Sequence, residues 1–173
     1  SQASGLGGQV GRDILAIGDF TGDGGADVLL QDTGNGYTFI LDDARPQAII
    51  GLGVQTGQEL LGTADFDGNG AVDLLMRDTG NGFTFIISGG NINNRTGLGI
   101  QSSREVLALA DFTGNGKDDI LFRDTGNGFT FIAEGGDVNN ATAAGSRAGY
   151  TLEGVGDLDG DGGADLVWRK NDN

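Results

Sequence analysis

A period of 46 residues runs through almost the whole sequence, and it restricts the chain to architectures that stack similar units. The clearest markers of this period are an Asp followed by an apolar residue at Asp19, Asp65, Asp111 and Asp157. The period divides the chain into units at 5–50, 51–96 and 97–142, with a shortened fourth unit at 143–173. A fixed period of this size is typical of repeat proteins, in which each unit buries its apolar face against a neighbour.

Each unit predicts short β-strands and no α-helix. In the third unit, residues 105–109 and 120–123 are apolar runs, and residues 129–132 alternate so that two Phe side chains share one face. Residues 125–128 contain Asn-Gly, which tolerates the positive φ of a tight hairpin turn. A weak fourth strand is expected at the edge, around 137–139. The chain is therefore predicted to be all-β, with propeller-type blades as the first choice and a β-solenoid or β-sandwich left open.

Four acidic loops follow the repeat, at 19–27, 65–73, 111–119 and 157–165. Oxygen-bearing side chains stand at loop positions one, three, five and nine, and Gly stands at positions four and six. Ca²⁺ takes six to eight oxygen ligands, and alternate spacing lets one tight turn aim successive side chains at one centre. The Gly at position six is expected to supply the sharp bend. Because Asp, Asn and Gly also favour ordinary turns, a metal-free turn is the alternative, but four copies in register favour metal binding.

These loops predict up to four bound Ca²⁺ ions, with a side chain or, at position seven, a backbone carbonyl as each ligand. The predicted ligands are Asp19, Thr21, Asp23, Gly25 and Asp27; Asp65, Asp67, Asn69, Ala71 and Asp73; Asp111, Thr113, Asn115, Lys117 and Asp119; and Asp157, Asp159, Asp161, Gly163 and Asp165. Mg²⁺ fits less well because it prefers rigid octahedral sites. The fourth loop carries the most carboxylates and the third the fewest, so the fourth site is expected to bind tightest if its blade is complete, and the third weakest.

The loop pattern, followed by an apolar strand and a Gly-containing turn, resembles the FG-GAP and VCBS-type repeats, including the calcium-binding blades of integrin α-subunit propellers. The resemblance covers nearly the whole chain, and its specific part is Asp-x-(Asp/Thr)-Gly-(Asp/Asn)-Gly-x-x-Asp. It implies a β-propeller, Ca²⁺ at the matching loop positions, an extracellular or cell-surface setting, and a role in adhesion or recognition. Thr21 and Thr113 stand where Asp is the more usual ligand, and such propellers commonly have seven blades.

The residue types that are missing exclude several kinds of chemistry. With no His and no Cys, the chain cannot form a Ser-His-Asp triad, a Cys nucleophile, a thiol redox centre or a disulfide. Its net charge of −15 argues against nucleic acid, whose phosphates need clustered Lys and Arg. No membrane insertion is expected, because no apolar run approaches roughly 20 residues. With no signal peptide visible, a mature chain or an excised piece is expected.

Two further sets of side chains recur with the period. Arg77, Arg123 and Arg169 are expected to pair with neighbouring Asp residues and to pack over aromatics, with a basic ligand-binding ring as the alternative. Phe39, Phe85 and Phe131 are expected in the core, with sugar stacking as the alternative, and both interpretations stay open for Trp168, which stands near the end of the shortened unit. Asn94 and Asn140 begin Asn-x-Thr sequons and are possible glycosylation sites.

The sequence thus predicts a non-enzymatic, extracellular, calcium-binding repeat module that uses a glycan or protein ligand for adhesion or recognition. An enzyme that uses paired carboxylates for glycoside chemistry is less favoured, because nearly every clustered Asp belongs to a metal loop. The main alternative is a structural subunit that self-assembles into a surface fibre or layer. The fourth unit lacks a counterpart of residues 129–132, so copies of the chain are expected to add at its open C-terminal edge.

Overall fold

The protein is all-β, as the sequence predicts, in a computed structural model that describes residues 9–171. The described chain contains fourteen strands and three single 3₁₀ turns, and no α-helix. The first sheet holds β1 (Arg12–Gly18), β2 (Asp27–Asp32), β3 (Tyr37–Leu41) and β4 (Ile49–Val54). The second holds β5 (Gln58–Ala64), β6 (Asp73–Asp78), β7 (Phe83–Ile87) and β8 (Arg95–Ile100). The third holds β9 (Arg104–Ala110), β10 (Asp119–Asp124), β11 (Phe129–Ala133) and β12 (Ala141–Ser146), and the fourth holds β13 (Tyr150–Gly156) and β14 (Asp165–Lys170).

Every sheet is an antiparallel meander, so strands that follow one another in the chain are also hydrogen-bonded neighbours. In each sheet the acidic loop joins the first strand to the second, and position nine of the loop is the first residue of the second strand. The 3₁₀ turns join the third strand to the fourth in the first three sheets, at Asp42–Ala44, Ser88–Gly90 and Glu134–Gly136. This order repeats the 46-residue period element by element.

The predicted position of the fourth strand is wrong. The fourth strand of the third sheet is β12, whereas residues 137–139 form the turn that precedes it. The Asp137 carboxylate accepts a hydrogen bond from the backbone N–H of Asn139 (2.9 Å), which fixes that turn. β12 reads Ala-Thr-Ala-Ala-Gly-Ser, a composition with little preference for strands, so pairing with β11 determines its conformation.

The hairpin between the second and third strands is present, but its geometry differs from the predicted Asn-Gly turn. In the first sheet, the loop of residues 33–36 places only Gly36 at positive φ (72°), and the same holds for its counterparts Gly82 and Gly128. Asn35 instead uses its side-chain oxygen to accept the backbone N–H of Tyr37 (2.7 Å). The Asn therefore stabilises the loop by a side-chain hydrogen bond, and the Gly alone adopts the left-handed conformation.

Within residues 9–171, two of the three cores lie between consecutive sheets, and the third lies on the other face of the first sheet, at Val28, Leu30, Phe39 and Leu41. Because side chains alternate along a strand, Leu74 of β6 packs towards the first sheet while its neighbour Leu75 packs towards the third. The first core joins Leu29 and Phe20 of the first sheet to Met76 of the second. The sheets thus stack face to face, and the first strands of neighbouring sheets also touch, β5 with β9 and β9 with β13. The described residues include no helix with the length and hydropathy needed to span a bilayer.

Candidate metal centres

The four acidic loops lie side by side at one end of the stacked sheets. In each pair of adjacent loops, the backbone N–H of position eight donates to the carbonyl oxygen of position one in the preceding loop. These hydrogen bonds join Val72 to Asp19 (2.7 Å), Asp118 to Asp65 (2.8 Å) and Ala164 to Asp111 (2.7 Å). The loops therefore form one row whose spacing is fixed by backbone contacts between sheets.

The glycines at positions four and six bend every loop, as the sequence predicts for position six. Their φ angles are all positive, for example 73° at Gly22 and 87° at Gly24 in the first loop. Only Gly adopts this region without steric cost, so the two positions bring the ends of the loop together. In the second and fourth loops this bend brings three carboxylates together, whereas Asp19, Asp23 and Asp27 of the first loop do not form such a cluster.

The carboxylate of the Asp at position one holds the loop closed, because it accepts hydrogen bonds from backbone N–H groups later in the same loop. Asp19 accepts hydrogen bonds from the backbone N–H groups of Gly22 (2.7 Å), Asp23 (3.1 Å) and Gly24 (2.8 Å). Desolvation alone would raise the pKa of Asp19, but these hydrogen bonds outweigh it and hold the pKa below its ordinary value. The same balance lowers the pKa of Asp111. In the first and third loops, position one is therefore an ionised carboxylate that is already held in place.

The Asp at position nine is buried and ties the loop to the 3₁₀ turn. Asp73 is fully buried, and it accepts the backbone N–H of Phe66 (3.0 Å) and that of Gly89 (2.8 Å). The pKa of Asp73 is raised to about 6, mainly by burial and to a smaller extent by the nearby carboxylates of Asp67 and Asp65, against the lowering effect of these hydrogen bonds. A buried carboxylate next to two others lacks a compensating positive charge, which a bound cation supplies.

The Asp residues at position nine of the first and third loops accept equivalent pairs of backbone hydrogen bonds. Asp27 accepts the backbone N–H groups of Phe20 (2.9 Å) and Asp43 (2.8 Å). Asp119 accepts those of Phe112 (2.9 Å) and Gly135 (2.8 Å), and its pKa is raised by burial. Each loop is thus anchored to a turn that lies sixteen residues further along the chain.

In the second and fourth loops, the structure brings three of the predicted carboxylate ligands together. Asp65, Asp67 and Asp73 each offer an oxygen within 4.8 Å of the others, and so do Asp157, Asp159 and Asp165. Two oxygens on one calcium ion lie at most about 5 Å apart, twice the Ca–O distance. Both groups therefore fit around a single calcium ion.

Positions five and seven share a hydrogen bond in every loop. The position-five side chain accepts the backbone N–H of position seven at 2.7 to 2.8 Å, in the pairs Asp23 with Gly25, Asn69 with Ala71, Asn115 with Lys117 and Asp161 with Gly163. This contact uses the N–H of position seven and leaves its carbonyl oxygen as the group that can bind a metal. Asp161 is not among the clustered carboxylates of its loop.

The first loop differs because Thr21 occupies position three. The Thr21 hydroxyl oxygen is buried with no hydrogen-bond partner within 3.5 Å among the described residues, although it lies near enough to Asp19 to help lower the pKa of that carboxylate. A buried oxygen without a donor costs free energy, and a cation at the loop centre removes that cost. Thr113, at the same position of the third loop, contacts Asp111 at 3.3 Å instead.

The first loop also has an acidic cluster that the sequence did not predict. Asp23 lies with Asp42 and Asp43 of the first 3₁₀ turn, with carboxylate oxygens within 4.8 Å of one another. Arg45 pairs with Asp42 (3.0 Å) and with Asp43 (2.9 Å), so part of this charge is already balanced. The available signal was a departure from the repeat, because the turns of the second and third sheets carry Gly where Asp43 stands.

The repeated arginines make contacts within and between the sheets rather than pairing with Asp. Arg123 Nη2 donates to Glu105 (2.7 Å), and Arg169 Nε donates to Glu153 (2.8 Å). Arg77 Nη2 donates to a backbone carbonyl oxygen of the third sheet (2.9 Å). The prediction of Asp partners is therefore wrong, because Arg123 and Arg169 pair with glutamates of the neighbouring first strand and Arg77 bonds to backbone.

The aromatic side chains divide into two groups. Phe39 and Phe85 belong to the core as predicted, whereas Phe131 and Trp168 are only half-buried. The guanidinium groups above these rings come from other arginines than the predicted ones: Arg12, Arg95, Arg104 and Arg147. The sequon residues Asn94 and Asn140 are exposed in the turns before β8 and β12.

Comparisons with protein-family models, with curated proteins and with solved structures find no match to this chain. The assignment of the loops therefore depends on the chemistry of their residues and on their geometry.

Proposed function

We propose that this chain is a non-enzymatic, calcium-binding repeat module of an extracellular or cell-surface protein, which serves adhesion or recognition of a glycan or protein ligand. The observation that carries the proposal is the convergence of three carboxylates in the second and fourth loops, within the span of one calcium ion. The buried hydroxyl oxygen of Thr21, which lacks a donor, supports a cation in the first loop as well.

The arrangement of the sheets supports a propeller as the finer description of the fold. Four-stranded meanders of about 46 residues are the size of propeller blades. Consecutive sheets share cores, and their first strands contact each other, as the inner strands of neighbouring blades do around an axis. The row of loops would then lie on one rim of the propeller, where a calcium ion stabilises each blade.

An extracellular setting is consistent with the type of site. The loops are exposed at one end of the sheets, and each offers four side-chain positions and one carbonyl rather than a closed cage. Extracellular calcium modules operate with dissociation constants of about 10⁻⁴ to 10⁻³ M, which suits such open loops.

Calorimetric titration of the metal-depleted chain with Ca²⁺ tests the proposal, with Mg²⁺ as the control ion. The repeat offers matched variants at position three. Asp67→Thr gives the second loop the residue of the first and third, and it should weaken binding there about tenfold, because one carboxylate is lost. Thr113→Asp should strengthen the third site by a similar factor.

The absence of calcium binding at millimolar concentration would overturn the proposal. Equal affinities in the wild type and in both variants would show that position three is not a ligand, and that the clustered carboxylates only stabilise the turns.

A specific observation favours self-assembly as a second function. On the outer face of the fourth sheet, Leu158 is 70% exposed and Val167 is 43% exposed. Their counterparts in the first sheet, Phe20 and Leu29, are buried against the second sheet. The fourth sheet therefore presents an apolar face of the kind that the other sheets cover, next to the edge of β14. A further sheet from a second copy of the chain could cover that face.

A further inference from the structure

The outer part of the third sheet contains a pocket that the calcium loops do not involve. Its volume is about 340 Å³, and it is lined by the side chains of Arg104, Asp124, Asn127, Phe129, Phe131 and Ala141, among others. It combines two aromatic rings with a carboxylate, an amide and a guanidinium. Pockets of this size with an apolar floor and a few polar groups are typical small-ligand sites.

The pocket is lined by Ala141, the smallest of the three side chains at this position of the repeat. In the second sheet, the counterpart of Ala141 is Arg95, whose guanidinium covers the Phe85 ring at 4.8 Å. Phe85 is consequently only 5% exposed. In the third sheet, a methyl group replaces that long side chain, and Phe131 is left half-buried.

A second departure displaces the neighbouring aromatic ring. In the second sheet the Phe83 ring lies against Gly97, so closely that a Cβ there would be 2.9 Å from the ring. Ala143 occupies the position of Gly97 in the third sheet and carries that Cβ. Phe83 stacks on Phe85 with a centroid distance of 6.4 Å, whereas within the described residues Phe131 stacks on Phe122 instead of on Phe129. The Phe129 ring is 40% exposed at the pocket.

The polar groups around these rings have unused hydrogen-bonding capacity. Asp124 Oδ1 accepts the backbone N–H groups of Gly126 (2.9 Å) and Asn127 (3.1 Å), and its second oxygen has no partner within residues 9–171. The Asn127 side-chain oxygen accepts the N–H of Phe129 (2.7 Å), and its NH₂ group is likewise without a partner in that range. An acceptor and a donor thus lie beside the exposed Phe129 ring. The Phe131 ring is already contacted by Phe122 and by the Arg104 guanidinium, which lies 4.6 Å from its centroid.

We infer that this pocket binds one pyranose residue of a neutral glycan, with the C–H face of the sugar on the exposed Phe129 ring and its hydroxyl groups on Asp124 and Asn127. A sugar hydroxyl both donates and accepts, so it satisfies the carboxylate and the amide together. The net charge of −15 and the carboxylate at the rim disfavour nucleotides and other anions. An apolar peptide side chain would cover the rings but leave both polar groups desolvated and unpaired.

This inference rests on the proposed recognition function and names its ligand class, but the pocket does not depend on the metal loops. The test uses the full chain saturated with Ca²⁺ and a panel of neutral methyl pyranosides with gluco, galacto, manno and N-acetylgluco configurations. Saturation-transfer NMR should detect transfer to the ring C–H protons of at least one of them, and calorimetry then gives its affinity.

The repeat supplies matched variants in both directions. Ala141→Arg places the long side chain of the second sheet in the pocket that Ala141 lines, and it should lower the affinity at least about tenfold by filling the pocket. Arg95→Ala should uncover Phe85 and add a second, weaker site, because Gln58 there replaces Arg104. Neither residue belongs to a calcium loop, so calcium titration of each variant should match that of the wild type.

The outcomes separate this inference from the proposed function. Calcium binding without transfer to any pyranoside overturns the sugar site alone, and so does pyranoside binding that Ala141→Arg leaves unchanged. Binding of an apolar peptide that Ala141→Arg abolishes, with no pyranoside bound, overturns the ligand class. If the chain binds no calcium, the proposed function is overturned, whether or not a pyranoside binds.

Discussion

Two carboxylates of the same metal loop, at positions one and nine, lie in opposite electrostatic environments. Asp65 at position one is surrounded by backbone N–H donors of its own loop, such as those of Gly68 (2.8 Å) and Gly70 (2.8 Å). Asp73 at position nine is buried, and its pKa is about 6. The first carboxylate is therefore ready to bind a cation, and the second gains most from one.

This contrast predicts how pH affects the metal-free protein. Because the pKa of Asp73 is higher in the folded than in the unfolded chain, the folded state binds more protons between about pH 4 and 6. The free energy of unfolding should therefore fall as pH rises through that range, by up to about 3 kcal/mol from this group. The lowered pKa values of Asp19 and Asp111 act only at lower pH, where protonation removes stability.

Thermal unfolding in a chelator should thus give a higher midpoint at pH 5 than at pH 7, and saturating Ca²⁺ should reverse the order because protons compete with the metal. Asp73→Asn is the control, since it removes the titrating group and should reduce the pH dependence. A midpoint in chelator that rises from pH 5 to pH 7 contradicts the expectation.

At the scale of the elements, the turns determine how the strands are joined, and glycines determine the turns. Gly82 has a φ of 75° in the hairpin between β6 and β7, and a Cβ there would lie 2.5 Å from that of Ser102. Gly99 in β8 has a similar φ of 76° with nothing within 4 Å of the added atom. A substitution at Gly99 therefore tests backbone strain alone, and a substitution at Gly82 tests backbone strain together with a steric clash.

Gly99→Ala should therefore cost about 1–2 kcal/mol of unfolding free energy, the penalty of a left-handed conformation for an L-residue. Gly82→Ala should cost clearly more, because the connection after β8 must also move. Urea titration of both variants in saturating Ca²⁺ measures the difference. Equal losses would mean that the Ser102 segment shifts at no cost.

The sequence predicts those elements that local chemistry determines. The acidic loops and the first three strands of the four-stranded sheets follow from Gly and Asp spacing and from apolar alternation, which are read within ten residues. β12 is missed because Ala, Gly and Ser carry no strand signal, so its pairing with β11 depends on the rest of the sheet. The cluster of Asp23 with Asp42 is missed because it depends on a turn that folds back onto the loop.

The same distinction applies to the candidate sites. The position of each calcium loop can be predicted from its residues, but the burial of Asp73 cannot, because the second sheet and its 3₁₀ turn create it together. The pocket beside Phe131 depends on the size of a side chain in the neighbouring strand, and alternation alone places Phe131 in the core. Sequence reasoning thus finds ligand types, and packing determines which of them are exposed.

At the scale of the whole molecule, charge and assembly depend on the same ions. The net charge is −15, and four bound Ca²⁺ ions would add eight positive charges. Chelation should leave the row of loops self-repelling and remove the free energy of binding, about 2.7 kcal/mol for each site saturated at 100 times its dissociation constant.

Sedimentation with Ca²⁺ and then with a chelator should therefore show a compact particle that expands or unfolds when the metal is removed. A mass of 17.6 kDa in Ca²⁺ supports the single module, whereas larger species support self-assembly. If larger species form, Leu158→Ser should dissociate them by making the outer face of the fourth sheet polar. An assembly that this variant leaves intact contradicts association through that face.

The backbone hydrogen bonds between adjacent loops have an evolutionary consequence. Each unit carries both halves of the connection, the position-one carbonyl oxygen and the position-eight N–H, as in Asp65 and Val72 of the second loop. In-frame duplication of one unit therefore supplies an acceptor and a donor together, and the new copy fits both of its neighbours at once. Such an array can gain or lose whole units of 46 residues without the redesign of any interface.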